Sequence, residues 1–183
     1  MGTQAFFEQK IPGGLELLHR SIQDPQLLAF IQQKFLPVAW YDVLPAVPLI
    51  RAEARALGLT PRRYLTLRSA YQAERDLTGV YRFLIKVAGA ENVAVRLPRL
   101  FTQIFDFGAS DASVLEPGHV RGFVRGFPAV LYEWFSIALE AYATTALRLT
   151  GVPEGTCVSR RLDSPEEGAV PLASLQLDLR WKV

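Results

Sequence analysis

Two histidines, one cysteine and a few carboxylates are the side chains of this sequence that could do chemistry. His19 and His119 lie far apart, and neither has a second His or a Cys at metal-ligand spacing. His19 follows Leu17-Leu18 near an expected helix end, and His119 follows a Pro117-Gly118 turn. Both read as surface or capping histidines rather than as metal or haem ligands. Cys157, in Gly155-Thr156-Cys157-Val158, would need a base and a positive or helix-N-terminal setting to act as a nucleophile. Arg160 and Arg161 follow it closely, but only alternate residues of a strand share a face, so the cysteine reads as buried and structural. Glu133 and Glu140 share one helix stripe. Paired carboxylates could do acid–base work there, but these read as the solvated edge of a buried helix. No Gly-x-Ser-x-Gly elbow, phosphate loop or Gly-x-Gly-x-x-Gly fingerprint is present. The expectation is a protein without catalytic residues, metal or cofactor.

Two further patterns could bind rather than react. In Arg121-Gly122-Phe123-Val124-Arg125-Gly126-Phe127, strand alternation places Arg121, Phe123, Arg125 and Phe127 on one side, and Arg180 and Lys182 could extend a basic face. A basic–aromatic face binds nucleic acid by stacking and phosphate contact; the other reading is a salt-bridged face partnering Asp111, Glu116 and Asp178. Val124 and Arg125 stand where an RNA-recognition strand carries aromatic and small residues, which disfavours nucleic acid. Separately, Tyr64, Leu67 and Tyr71 fall on one helix side. With Tyr81, Phe101, Phe105 and Trp134 they are the candidate lining of a small-ligand site, a tyrosine offering a polar tip on an apolar body. A core-edge stripe with hydroxyls reaching water is the alternative for the tyrosines.

The elements that must position these residues are legible in outline. Asp24-Pro25 caps and opens a helix carrying Leu27, Leu28, Ile31 and Phe35, and Pro37 stops it. A broken stretch from Trp40 to Pro48 leads into a helix from Leu49 to Leu57, ended by Gly58. Thr60-Pro61 opens a long helix to about Asp76, and Thr78-Gly79 kinks it or divides it from a second helix through Val87, which Gly89 ends. Asn92 caps another through about Phe105, with Pro98 predicting a kink or a late start. After residue 106 the pattern changes. Ala112–Glu116, Pro117-Gly118 and His119–Phe127 read as a hairpin; Pro128 starts a helix running to Leu149; Cys157–Leu162 and Leu175–Trp181 read as strands around a turn at Ser164–Gly168. The helix carries so much apolar surface around its narrow polar stripe that it must lie between sheet and helices, or in an oligomer interface. The expectation is one α+β domain over 1–183: a helical part over 1–105, then an antiparallel sheet built strand–strand–long helix–strand–strand over 106–183.

Composition bounds the partners. The chain has 183 residues, half of them hydrophobic and 21% charged, with a formal charge of +2 from 16 Arg, 4 Lys and 18 acidic residues. That balance gives no default attraction to nucleic acid or anionic membrane. One cysteine excludes an intramolecular disulfide. No run of about 18 apolar residues predicts a membrane span, and the first residues lack the basic head and apolar run of a secretory signal. The expected location is the cytoplasm.

Trp40-Tyr41-Asp42-Val43-Leu44-Pro45, Arg75-Asp76-Leu77-Thr78-Gly79-Val80-Tyr81-Arg82, Arg96-Leu97-Pro98-Arg99-Leu100, Phe105-Asp106-Phe107-Gly108 and the closing Leu179-Arg180-Trp181 resemble a group of short proteins abundant in myxobacteria and their relatives. The resemblance covers most of the chain from about Phe35 onward and implies no established activity. The architecture is more remotely similar to the fold shared by H-NOX haem sensors, 4-vinyl-reductase-type ligand-sensing domains and small TRAPP vesicle-tethering subunits. Those folds pair a helical part with an antiparallel sheet and a long central helix; their members bind haem, small aromatics or acyl chains, or act as dimeric scaffolds. This chain departs from the haem sensors: Asn92–Phe105 holds no histidine, and no Tyr-x-Ser-x-Arg propionate clamp is present. The likeness therefore implies a non-enzymatic sensory or adaptor domain, homodimeric and free of haem, with a small apolar or acyl ligand. A ligand-free homodimeric scaffold is the alternative.

Overall fold

The computed structural model describes residues 2–36, 39–78, 82–162 and 170–183. They form two compact units, Met1–Arg68 and Ser69–Val183.

The first unit is helical: α1 Gly2–Lys10, α2 Gly14–Ser21, α3 Pro25–Gln32, α4 Ala46–Ala56, and the first part of α5 Pro61–Thr78. Local chemistry sets these boundaries. Asp24 accepts the Gln26 and Leu27 N–H groups at 2.8 and 3.2 Å, and Pro25 needs no donor in the first turn of α3. Thr60 caps α5 by accepting from the Arg63 N–H at 3.3 Å. Sequence patterning gave no expectation for α1, whose residues GTQAFFEQK show little amphipathic period, yet it buries Thr3, Phe6 and Phe7. Tertiary burial, not propensity, holds such a segment helical.

The second unit holds the rest of α5, then α6 Arg82–Ile104, β1 Ala109–Glu116, β2 His119–Pro128, α7 Tyr132–Leu149, β3 Thr156–Leu162 and β4 Leu172–Arg180. The order strand–strand–helix–strand–strand is as expected, and the fold is α+β. α6 is interrupted at Gly89, whose φ of 71° and ψ of 165° are non-helical; this is the break its sequence predicts. The expected break at Thr78-Gly79 and the turn at Ser164–Gly168 lie outside the described residues. Pro128 does not start a helix. It ends β2 in extended backbone opposite Leu172, and a short 3₁₀ turn, Ala129–Leu131, leads into α7.

The sheet is antiparallel in the order β1-β2-β4-β3. Val120, Gly122 and Val124 of β2 pair with Leu179, Leu177 and Leu175 of β4, which pair with Cys157, Ser159 and Arg161 of β3. This face lies under α6 and α7. Pro98 reaches it at Gly122, where an added Cβ would sit 3.4 Å from the proline ring. Glu140 of α7 accepts from the Ser159 N–H and hydroxyl at 2.8 and 2.7 Å, and Thr144 accepts the Cys157 N–H at 3.1 Å. Glu140 is thus a helix-to-sheet tie, not a solvated edge. α7 buries Phe135, Ile137, Ala143, Ala146 and Leu147 within this unit, while Ala138, Leu139, Ala141 and Leu149 stay partly exposed. Ala73 and Leu77 of α5 complete a cluster with Val93 and Ala146.

One irregularity decides what faces where. Between Val124 and Phe127 the β2–β4 register shifts by one residue, with Gly126 at φ 68°. A bulge of this kind flips alternation. Phe127 therefore turns into the core, fully buried, instead of sharing a face with Arg121, Phe123 and Arg125. β4 has only part of the wet face that its alternation predicts: Asp178 and Arg180 reach solvent, whereas Gln176 is covered. Flanked by β2 and β3, it is central, and Gln176 is buried along with Leu175 and Leu177.

Candidate functional site

The strongest concentration of side chains around one point is aromatic. Phe135 of α7 meets five rings: Phe101 of α6 at 5.5 Å, Phe105 just after α6 at 5.0 Å, Phe107 at 6.5 Å, Phe127 of β2 at 5.0 Å, and Trp134 at 4.9 Å between centroids. Phe101 and Phe105 lie 4.8 Å apart, and Phe105 meets Trp134 edge-on at 6.3 Å. Such offset and edge-to-face contacts are the preferred geometry of aromatic clusters. Phe101, Phe127 and Phe135 are buried, whereas Phe105, Phe107 and Trp134 are only partly covered. The Trp134 indole N–H is buried but has no acceptor among the described residues. A desolvated donor without a partner is unusual enough to mark a place where an acceptor belongs.

The structure thus brings together Phe101, Phe105 and Trp134 of the candidate lining. The others are placed as follows. Tyr64 is fully buried in the first unit against Phe6 and Phe7, at 6.0 and 6.5 Å. Leu67, one helix turn on, is 48% exposed and lines no core. Tyr71 is buried in the second unit, and Tyr81 lies outside the described residues. Sequence reasoning missed Phe107, Phe127 and Phe135 as members of the cluster. Phe127 was hidden by the bulge, and Phe135 read as one apolar residue among many on α7.

The outer sheet face is ionic and internally matched. Asp178 of β4 accepts from His119 Nε2 at 2.9 Å, from Arg121 Nε at 3.0 Å and from the Gln176 amide. Burial acts to raise its pKa, but the hydrogen bonds from His119, Gln176 and Arg121, with the Arg121 charge, prevail and hold the carboxyl at about 2. His119 is therefore not a surface or capping residue; it is buried and held on the sheet. Arg125 pairs with Asp111 and lies 4.3 Å over the Phe123 ring. Arg121 and Arg125 accordingly serve the salt-bridged reading of this face. Arg180 is exposed at the end of β4. Cys157 is buried, and burial first, then the Glu140 and Asp178 charges, push its thiol far above the ordinary range. Burial and a raised pKa both disfavour the thiolate form that a nucleophile needs. Among the described residues no group of three or more His, Cys, Asp or Glu side chains could hold a metal ion, and no helix is long and apolar enough to cross a membrane.

No family model matches the chain, and no curated protein matches it in sequence. Solved structures do match in fold, H-NOX domains among them. One, from work on haem distortion in the H-NOX family, superposes with a TM-score of 0.71 at 6% identity, covering 100% of this chain and 92% of its own. An oxygen-binding H-NOX domain related to soluble guanylate cyclases gives 0.64 at 7% identity, with 92% and 93% covered. An iron(II), unliganded H-NOX variant from K. algicida gives 0.63 at 8% identity, with 100% and 94% covered. The chain therefore has the H-NOX-type fold over its whole length.

Whether the residues around the ring cluster fit a haem is a separate matter. Haem iron needs an axial His, Cys, Met or Tyr. α6 carries none of these. His119 projects from the opposite sheet face and is held by Asp178, while Cys157 is buried as an un-ionised thiol. The cluster interior is filled by rings in mutual contact. None of the six rings, Phe101, Phe105, Phe107, Phe127, Trp134 and Phe135, is itself an axial-ligand type.

Proposed function

We propose that this chain is a non-enzymatic ligand-sensing or adaptor domain that takes a small apolar molecule, an aromatic or an acyl chain, against the rings of α6 and α7 without an iron porphyrin. The observation that carries this reading is the partly covered edge of the cluster. Phe105, Phe107 and Trp134 offer apolar, polarisable surface, and beside them the Trp134 N–H has no acceptor among the described residues. A carbonyl or carboxylate oxygen on an otherwise apolar ligand satisfies that donor while its body covers the rings. The full-length H-NOX-type fold supports a sensory role by analogy of architecture.

Trp134 reports on its own site. With Trp40 and Trp181 replaced by Phe, its emission isolates the cluster edge. Titration with decanoic acid and with naphthalene should shift that emission saturably for at least one probe, and Phe105→Ala should weaken the effect. An emission unchanged up to the solubility limit of both probes contradicts the reading.

A further inference from the structure

The two edges of the sheet are finished differently. At the β3 edge the N–H groups of Cys157 and Ser159 point away from β4 and are taken by the Thr144 hydroxyl and the Glu140 carboxylate of α7, at 3.1 and 2.8 Å. That edge is capped, as strand edges in stable sheets commonly are. The same two bonds fix the phase of the whole ladder, because hydrogen-bonded and non-hydrogen-bonded pairs alternate along antiparallel strands. Val158 and Arg160 bond to Asp178 and Gln176 of β4; Leu175, Leu177 and Leu179 bond to Val124, Gly122 and Val120 of β2; Arg121, Phe123 and Arg125 bond to Ser113, Asp111 and Ala109 of β1. The Trp181 N–H, which reaches the Gly118 carbonyl at 2.9 Å, keeps this phase. Ser110, Ala112 and Val114 are therefore the residues whose N–H and C=O groups point outward from β1. Those groups meet no partner among the described residues. Six of the eight residues of β1 are exposed, Val114 at 43% among them, and the strand carries no Lys, Arg or Pro to guard its edge.

We infer that the β1 edge is where a second copy of this chain adds its own β1, antiparallel and about a two-fold axis at Ala112, so that the two sheets become one. With Ala112 opposite Ala112 of the partner subunit, Ser110 stands opposite the partner's Val114, and Val114 opposite the partner's Ser110. Every outward residue then exchanges a pair of backbone bonds. A slip that keeps the phase loses this. It sets Val114 opposite the partner's Gly108, before the strand, or Ser110 opposite the partner's Glu116, past the register shift that follows Val114. Charge allows the symmetric register: Asp111, already paired with Arg125, faces the partner's Ser113, and Glu116 faces the partner's Gly108, so no two carboxylates are opposed. The capped β3 edge selects this arrangement among those open to a second copy. Head-to-tail addition of β1 to β3 would need the Cys157 and Ser159 N–H groups that α7 holds, and would run on without closing. β1 against β1 closes at two chains and leaves no open edge.

Sedimentation equilibrium of the full chain from about 10 μM to about 1 mM, with amide hydrogen exchange read by NMR at both ends of that range, tests this; two short strands make a small contact, which calls for such concentrations. The expected result is a mass that climbs from one chain to two and stops. Exchange at the Ser110, Ala112 and Val114 N–H groups should slow in proportion to the dimer formed, while Ala109, Asp111 and Ser113, already bonded to β2, change little. Ala112→Pro removes the outward donor at the axis and none of the β1–β2 bonds. It should weaken association by about 10-fold or more, for the loss of two hydrogen bonds. Val114→Pro, at an exposed position, serves if thermal unfolding shows that Ala112→Pro does not fold. A chain that stays single at every concentration leaves the edge to another protein's strand and overturns the inference. So does a mass that grows past two, a dimer in which the three outward N–H groups exchange as fast as in the single chain, or a folded proline variant that associates like wild type.

Discussion

Neutralising Asp178 should cost stability at neutral pH and nothing in strong acid. The carboxylate gathers His119, Arg121 and Gln176 on the outer sheet face, and its pKa is held at about 2 against an ordinary value of 3.8. At about 1.4 kcal/mol per pH unit, a depression of that size corresponds to roughly 2 kcal/mol. The side chain is 22% exposed and stands on the solvent side of the sheet, so screening reduces the expectation to about 1 kcal/mol. The sign follows from the lowered pKa: the contribution is complete above about pH 4 and is lost as pH falls towards 2, where the folded protein also takes up the proton. Asn is the neutral isostere of protonated Asp. Urea unfolding of wild type and Asp178→Asn should therefore differ by about 1 kcal/mol at pH 6, and the difference should close between about pH 4 and pH 2. A gap that persists unchanged at pH 2 would show that Asn disrupts packing and would refute the electrostatic argument. No gap at pH 6 would show that the three donors are equally content with water.

Other outcomes follow from the same geometry. Phe135→Ala empties the centre of the ring cluster and should destabilise by about 3–5 kcal/mol in chemical denaturation, well beyond the effect at an exposed position such as Leu67→Ala. Gly118→Ala should cost about 2 kcal/mol or more, because φ is 80° and the new Cβ would stand 2.5 Å from the Trp181 carbonyl oxygen. Cys157 should resist iodoacetamide in the folded protein at pH 8 and react fully on denaturation, as mass spectrometry of the alkylated chain would show. With Arg121 and Arg125 already paired to Asp178 and Asp111, a gel-shift assay at physiological salt should show no retarded nucleic-acid probe.

Much of this molecule is legible in its sequence, because strong local signals agree with tertiary burial. Asp24-Pro25, Thr60-Pro61 and Gly89 mark helix limits that the structure respects. Pro117-Gly118 sets the hairpin, and Leu175, Leu177 and Leu179 point to the core. What was not legible depends on neighbours. The Gly126 bulge changes the face of Phe127, and a two-glycine strand gives no hint of which glycine bulges. β4 becomes central only through the order of strands, and its alternation does not reveal that Gln176 is covered while Asp178 and Arg180 reach solvent. The same holds for the sites. A tyrosine stripe on α5 looks continuous in sequence, yet Tyr64 is buried while Leu67 is exposed. Glu53 looks like one charge on an amphipathic helix, and only tertiary packing reveals it as an enclosed carboxyl.

The central claim is that an H-NOX-type fold here serves a ligand other than an iron porphyrin, seated at the edge of the ring cluster. Incubation with haemin followed by gel filtration and absorption spectroscopy, alongside decanoic acid or naphthalene titration read by Trp134, puts both halves to one test. Saturable probe binding is expected, with haemin eluting without the sharp band of an axially ligated haem. A stoichiometric haem complex with that band, abolished by replacing a single histidine, would contradict it.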